Sequence, residues 1–214
     1  YFFTVLVFAM VACEKENLES ITPLASGEDA LTALHLKQKN SITIVGQNDP
    51  TMDIEAVQEA VDEYDYVVLS GTFDFGEDEA TGGVEITRPN VIVTGPATIL
   101  NGAKIMSSPI ITLKAPLSIY APGVEIHELV FNNDYDGILV FAEEEGQPVV
   151  ISGNTFNVNE FGVALGISAT PGGIKLLNNM ITAFYPYFAI QTSGDTEIAD
   201  NDMQDCFECV FIFG

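Results

Sequence analysis

The sequence predicts an all-β repeat protein, a parallel β-helix in which each turn of chain adds one rung to two or three parallel sheets. Three observations predict it. After Gly83 no helical period occurs, and short β-rich runs such as VEIT, ATIL, IITL, GILVF and VVISGNTF alternate with turns. Ile126, Ile151, Leu176 and Ile198 recur 25, 25 and 22 residues apart, and Phe131, Phe156, Ile181 and Met203 follow at a constant offset of five. A second strand follows in each unit, at Ile138, Val163, Ala189 and Val210, spaced 25, 26 and 21. A unit of that length cannot bury its apolar side chains alone, so each coil must cover the next. Leucine-rich repeats share the period, but their Leu-x-x-Leu-x-Leu pattern is missing, and helical repeats conflict with the β composition.

The chain divides at residues 1–12, 13–40 and 41–214. Tyr1 to Ala12 is an unbroken apolar run, shorter than the roughly 20 residues a bilayer requires. It reads as the apolar part of a secretory signal whose start is missing. Met10-Val11-Ala12-Cys13 resembles the bacterial lipobox, which implies lipidation of Cys13 and a lipid-anchored, exported protein of the outer membrane or cell surface. A simple signal peptide with an incidental Cys, or a buried apolar strand, is the other reading. Residues 13–40 are polar and acidic, as a tether would be.

The folded part begins with SITIV, a strand composition, followed by a short helix on which Ile54, Val57 and Val61 form one stripe. Asp53 is the expected N-cap, with Met52 and Val57 as a hydrophobic staple. YVVLSGTFDFG continues as a strand and turn. At the other end, CVFIFG ends within a strand. An exposed final rung would leave apolar side chains and strand edges open. The solenoid is therefore expected to continue past residue 214, or to pair there with a partner.

Composition narrows the function. Thirty-one Asp and Glu against seven Lys and Arg give a net charge of −24. Such a surface repels phosphate backbones and anionic membranes, which excludes nucleic acid and leaves a lipid anchor as the route to a membrane. Cations, neutral sugars and basic partners remain.

DIEAVQEAVDE, YVVLSGTFDFG and GGVEITRPNVIVTG, with the repeat PVVISGNTFNVNEFGVALG read from residue 148 on, together resemble the right-handed parallel β-helix, pectin-lyase-like superfamily over residues 41–214. The resemblance implies a right-handed solenoid whose short N-terminal helix caps the core. It also implies a ladder of inward amides at Asn154, Asn179 and Asn201, which occupy one repeat position, with Leu129 in the preceding coil. Asn suits that place because it tolerates a left-handed turn and its amide can bond neighbouring coils.

Candidate chemistry concentrates on the turns between the two later strands of each repeat. Stacking would set Asp134, Tyr135 and Asp136 above Glu160 and Phe161, then Tyr185 and Tyr187, then Asp205 and Glu208. Aromatic faces beside carboxylates suit carbohydrate, and paired carboxylates suit glycoside hydrolysis. The same turns also read as a solvated edge whose rings stack for stability. The resemblance implies Ca²⁺-dependent lyases or Asp-Asp hydrolases, yet the repeats from Leu117 onward hold one Lys or Arg, Lys175, and no Gly-His-Gly. Acid clusters at Asp74/Glu77/Asp78/Glu79, Glu143/Glu144/Glu145 and Asp200/Asp202/Asp205 have oxygen ligands for Ca²⁺ without the spacing of a known loop; no metal site is assigned. Cys206 and Cys209 form half a zinc site at most, and a turn would be needed to bond them. His127 alternates with Ile126 and is expected to point outward. The leading function is therefore a non-catalytic glycan-binding surface. The alternative is a polysaccharide lyase, hydrolase or epimerase whose catalytic coils lie outside these residues.

Overall fold

A computed structural model describes residues 40–77, 83–102, 104–107, 112–133, 136–158, 163–165, 171–183, 188–193, 195–206 and 208–213. Cys13 and the acidic tether lie outside them. The described chain is a parallel β-solenoid with one helix near its start.

Each coil crosses three sheets in turn. The first sheet stacks Ser41–Val45, the opening part of Tyr66–Asp74, Ile92–Thr94, Glu125–His127, Val149–Ser152, Ile174–Leu177 and Thr196–Ala199. The second stacks the rest of Tyr66–Asp74, Ala97–Leu100, Val130–Asn133, Thr155–Val158, Met180–Ala183 and Asp202–Gln204. The third stacks Val84–Ile86, Leu117–Ile119, Ile138–Val140, Val163–Leu165, Phe188–Ser193 and Glu208–Phe213. All pairings between coils are parallel, and they follow the sequence repeat. Ile126, Ile151, Leu176 and Ile198 are register partners, as are Phe131, Phe156, Ile181 and Met203.

The third column differs from expectation by one residue. Val163 pairs with Ile190, which pairs with Val210, so Ile190 rather than Ala189 continues the column from Ile138. Side chains alternate faces along a strand, so a one-residue slip exchanges the two faces. The interval from Ile181 to Ile190 is two residues longer than those from Phe131 to Ile138 and from Phe156 to Val163. IITL is not a rung either. Its last two residues open Thr112–Ala115, which pairs antiparallel with Lys104–Ser107 in a hairpin inserted into the second coil. That insertion hides the repeat before residue 124.

Inward positions form one continuous core from Val67 and Leu69 through Ile126, Phe131 and Ile151 to Leu176 and Ile181. Phe131 and Phe156 stack with centroids 4.9 Å apart and planes 6° apart, which matches the spacing of neighbouring strands.

The helix Pro50–Glu63 closes the first coils, with Val57, Ala60 and Val61 buried in the core. Its N-cap is Asp49, not Asp53. The Asp49 carboxylate accepts from the Thr51 and Met52 amides, and Pro50 follows at N1, where its missing N–H costs nothing. Met52 is 48% exposed and makes no staple. Asp53 is instead buried in the first turn, where it accepts from the Gln47, Asp49 and Asp74 amides at 2.8, 3.1 and 2.9 Å. It thereby ties the helix to the loop that precedes it and to the end of Tyr66–Asp74. Gln58 completes the cap: its amide donates to the Glu85 carbonyl and accepts from the Glu85 N–H, both at 2.9 Å, as a neighbouring strand would.

The Asn ladder runs through the turn between the first and second sheets. Asn154 Oδ1 accepts from the Leu129 amide, Asn179 Oδ1 from the Asn154 amide and Asn201 Oδ1 from the Asn179 amide, at 2.9–3.0 Å. Their Nδ2 groups donate to the carbonyls of Ile126, Ile151 and Leu176. The left-handed residue is not the ladder Asn but the one before it: Glu128, Gly153, Asn178 and Asp200 have φ between 55° and 67°. The turn strain and the amide bonding are thus divided between adjacent residues.

Asn179→Ala takes the acceptor from the buried Asn154 N–H, and urea unfolding should show a loss of roughly 1–3 kcal/mol, the cost of one stranded group. Asn157, whose exposed amide donates to Asn132 Oδ1 at 2.8 Å, is the control; Asn157→Ala should stay within about 0.5 kcal/mol.

Acid stability has a local contributor at the end of the helix. Hydrogen bonds from Asn40 and Arg88 hold the Asp65 carboxyl below its ordinary 3.8. A depressed native value gives stability that is full above 3.8 and is lost as pH falls through the native value. In urea unfolding followed by circular dichroism at a series of pH values, Arg88→Gln should be slightly less stable than the parent near neutrality, and the gap should shrink as pH falls through the native Asp65 value.

Candidate functional site

The sequence-predicted flank is described only in part. Asp134, Tyr135, Glu160, Phe161, Tyr185 and Tyr187 lie outside the described residues. Asp136 is fully buried, and its carbonyl accepts from Asn133 Nδ2 at 2.6 Å. It serves the turn's interior rather than an outer surface. Asp205 is exposed in the left-handed conformation, with φ of 57°. Glu208 opens the strand Glu208–Phe213 opposite Phe188. The Asp205 turn brings Cys206 and Cys209 to a Cα separation of 5.3 Å, and they form a disulfide. An extended C-x-x-C could not do this; the turn between the strands allows it.

Among the described residues no group of three or more His, Cys, Asp or Glu is arranged to hold a metal ion. Asp202, in one of the acid clusters, accepts from Gln204 Nε2 at 2.9 Å.

The described outer face of the first sheet carries a constellation that residue-by-residue reading missed. Glu125 and His127 project outward on either side of buried Ile126, and Ser152 is the register partner of His127 one coil on. His127 Nε2 lies 2.8 Å from Glu125 Oε2, and His127 Nδ1 lies 2.7 Å from Ser152 Oγ. A carboxylate only accepts, so in neutral His127 the proton sits on Nε2 and points to Glu125. Nδ1 is then an acceptor, and the Ser152 hydroxyl donates to it. His127 and Ser152 open onto a shallow groove of about 390 Å³ whose other walls are Tyr66, Thr94, Glu128, Gly153 and Asn178. The backbone beneath is held firmly: Asn154 Nδ2 donates to the Ser152 carbonyl at 3.1 Å, and Gly153 N–H donates to the Leu177 carbonyl. The signal in sequence was the 25-residue step from His127 to Ser152, the same step that aligns Ile126 with Ile151.

Further along the face, Lys175 pairs with Glu197 at 3.1 Å across one register step. A scan against family models, a search of curated proteins and a search of solved structures each found no match to the chain. Function must therefore be argued from the geometry.

Reducing the Cys206–Cys209 bond should be tolerated. It closes a very short loop, so chain-entropy reasoning gives only about 2 kcal/mol. Urea unfolding with and without reductant should show a loss near that size and no loss of the β signal.

Proposed function

We propose that the protein is an exported, lipid-anchored, pectin-lyase-like right-handed β-helix that binds glycans along one flank of stacked turns. Register is the supporting observation. Second-sheet strands end at the partners Asn133, Val158 and Ala183, and the third-sheet strands that follow carry the partners Ile138, Val163 and Ile190. The strands on either side of these turns thus repeat from coil to coil at the strand spacing of about 4.8 Å. The turn sequences supply Tyr135, Phe161, Tyr185 and Tyr187 beside Asp134, Glu160, Asp205 and Glu208. Rings cover the C–H face of a sugar while carboxylates accept from its hydroxyls. The net charge of −24 favours neutral or cationic glycans over polyuronates. The lipobox-like Met10–Cys13 supports anchoring at the cell surface.

Glycan-array binding followed by calorimetry tests the reading. Tyr185→Ala with Tyr187→Ala should abolish binding while the unfolding midpoint stays near that of the parent. Unchanged binding in the double variant would remove the flank as the ligand surface.

A further inference from the structure

We propose that Ser152, His127 and Glu125 form a nucleophilic-serine site that transfers the acyl group of small uncharged esters to water. This does not rest on the glycan flank, because the three residues lie on the outer face of the first sheet.

The geometry meets the requirements of an activated serine. The nucleophile and base are within hydrogen-bond reach at 2.7 Å, and the base is oriented by a carboxylate at 2.8 Å. Relative to the familiar triad the imidazole is reversed, with Nδ1 facing the serine. The roles depend on which nitrogen carries the proton rather than on its label. Ser152 and His127 both line the groove, while Glu125 stands behind the ring. Ser152 is the last residue of its strand, and left-handed Gly153 follows it, so the next residue adds no side chain of its own beside the hydroxyl.

The step balances. Ser152 Oγ bonds to the ester carbonyl carbon as its proton passes to His127 Nδ1. The tetrahedral oxyanion collapses, the bond to the alcohol oxygen breaks, and the alcohol leaves with the proton from Nδ1. Water then attacks the acyl-serine with the same proton transfers, releasing the carboxylic acid and restoring Ser152. Backbone N–H groups of the turn are committed to the next coil, as Gly153 to Leu177 and Asn178 to Ala199. The oxyanion donor is therefore a side chain, and Asn178 on the groove wall carries the amide for it. Glu128 on the same wall, within a protein of net charge −24, disfavours anionic esters. An open groove of about 390 Å³ accommodates a small acyl group.

The test uses a fluorophosphonate probe, from whose phosphorus the serine oxygen displaces fluoride, and p-nitrophenyl acetate as the ester. Peptide mass spectrometry should place the adduct on Ser152. Ser152→Ala should abolish the adduct and the hydrolysis. His127→Ala should slow both by about 100-fold or more, as expected for loss of a general base. Glu125→Ala, at the positioning residue, should lower kcat and leave KM unchanged. Melting midpoints check that each variant is folded. Should His127→Ala fail that check, His127→Gln, which keeps a polar bridge between the neighbours, takes its place. An unlabelled Ser152 in the folded parent, an absence of Ser152-dependent hydrolysis, or parental rates in the folded His127 variant would each overturn the proposal and leave a surface hydrogen-bond bridge.

Discussion

Parallel pairing of each rung strand with its equivalent one coil later governs the rest of the structure. In such a stack a residue's nearest neighbours in space are the residues at the same repeat position. Whatever chemistry the repeat places at a position is therefore multiplied along a column. Phe131 meets Phe156 ring to ring, and Asn154 meets Asn179 and Asn201 amide to amide. Because side chains alternate faces, the register that buries Ile126 on Ile151 also sets His127 beside Ser152 outside. The interior and exterior are two consequences of one alignment.

The turn between the first two sheets shows how the constraint is met locally. The backbone there must reverse the side-chain direction and still satisfy its polar groups. A residue at positive φ provides the bend, and the following Asn faces inward to bond the coils before and after it. The division explains why Gly153, Asn178 and Asp200 differ in type while the ladder position is uniform. Only the ladder position has amide groups to satisfy on two coils. The same bonds pin the Ser152 carbonyl, so the polar cluster outside rests on backbone held from within. Sites supported by rigid strands are positioned more accurately than sites on loops.

The helical cap illustrates what pattern reading could and could not reach. The stripe of Val57 and Val61 was legible because burial imposes a 3.6-residue period. The identity of the cap was not. Asp49 and Asp53 are both short acids near the start, and the choice between them depends on Asp74, a residue brought alongside by the following strand. Once Asp53 accepts from that strand it is unavailable as an N-cap, and Asp49 with Pro50 takes the position. The Ile190 register is similar. Spacing alone leaves Ala189 and Ile190 adjacent candidates, and pairing with Val163 and Val210 decides between them.

By itself the sequence determined that this is a solenoid of parallel strands and which residues share its first two columns from residue 124 on, and the family resemblance added which amides form the ladder. Recurrence along the chain becomes contact in space only if coils stack, so periodicity carries that information directly. Tertiary structure alone decided that Asp136 turns inward, that Cys206 and Cys209 bond, and that Glu125, His127 and Ser152 converge. Each of these depends on the direction of a turn or on outward side chains meeting across a coil boundary. Outward positions change residue type from coil to coil, so the 25-residue step from His127 to Ser152 gains meaning only once the coils are in place.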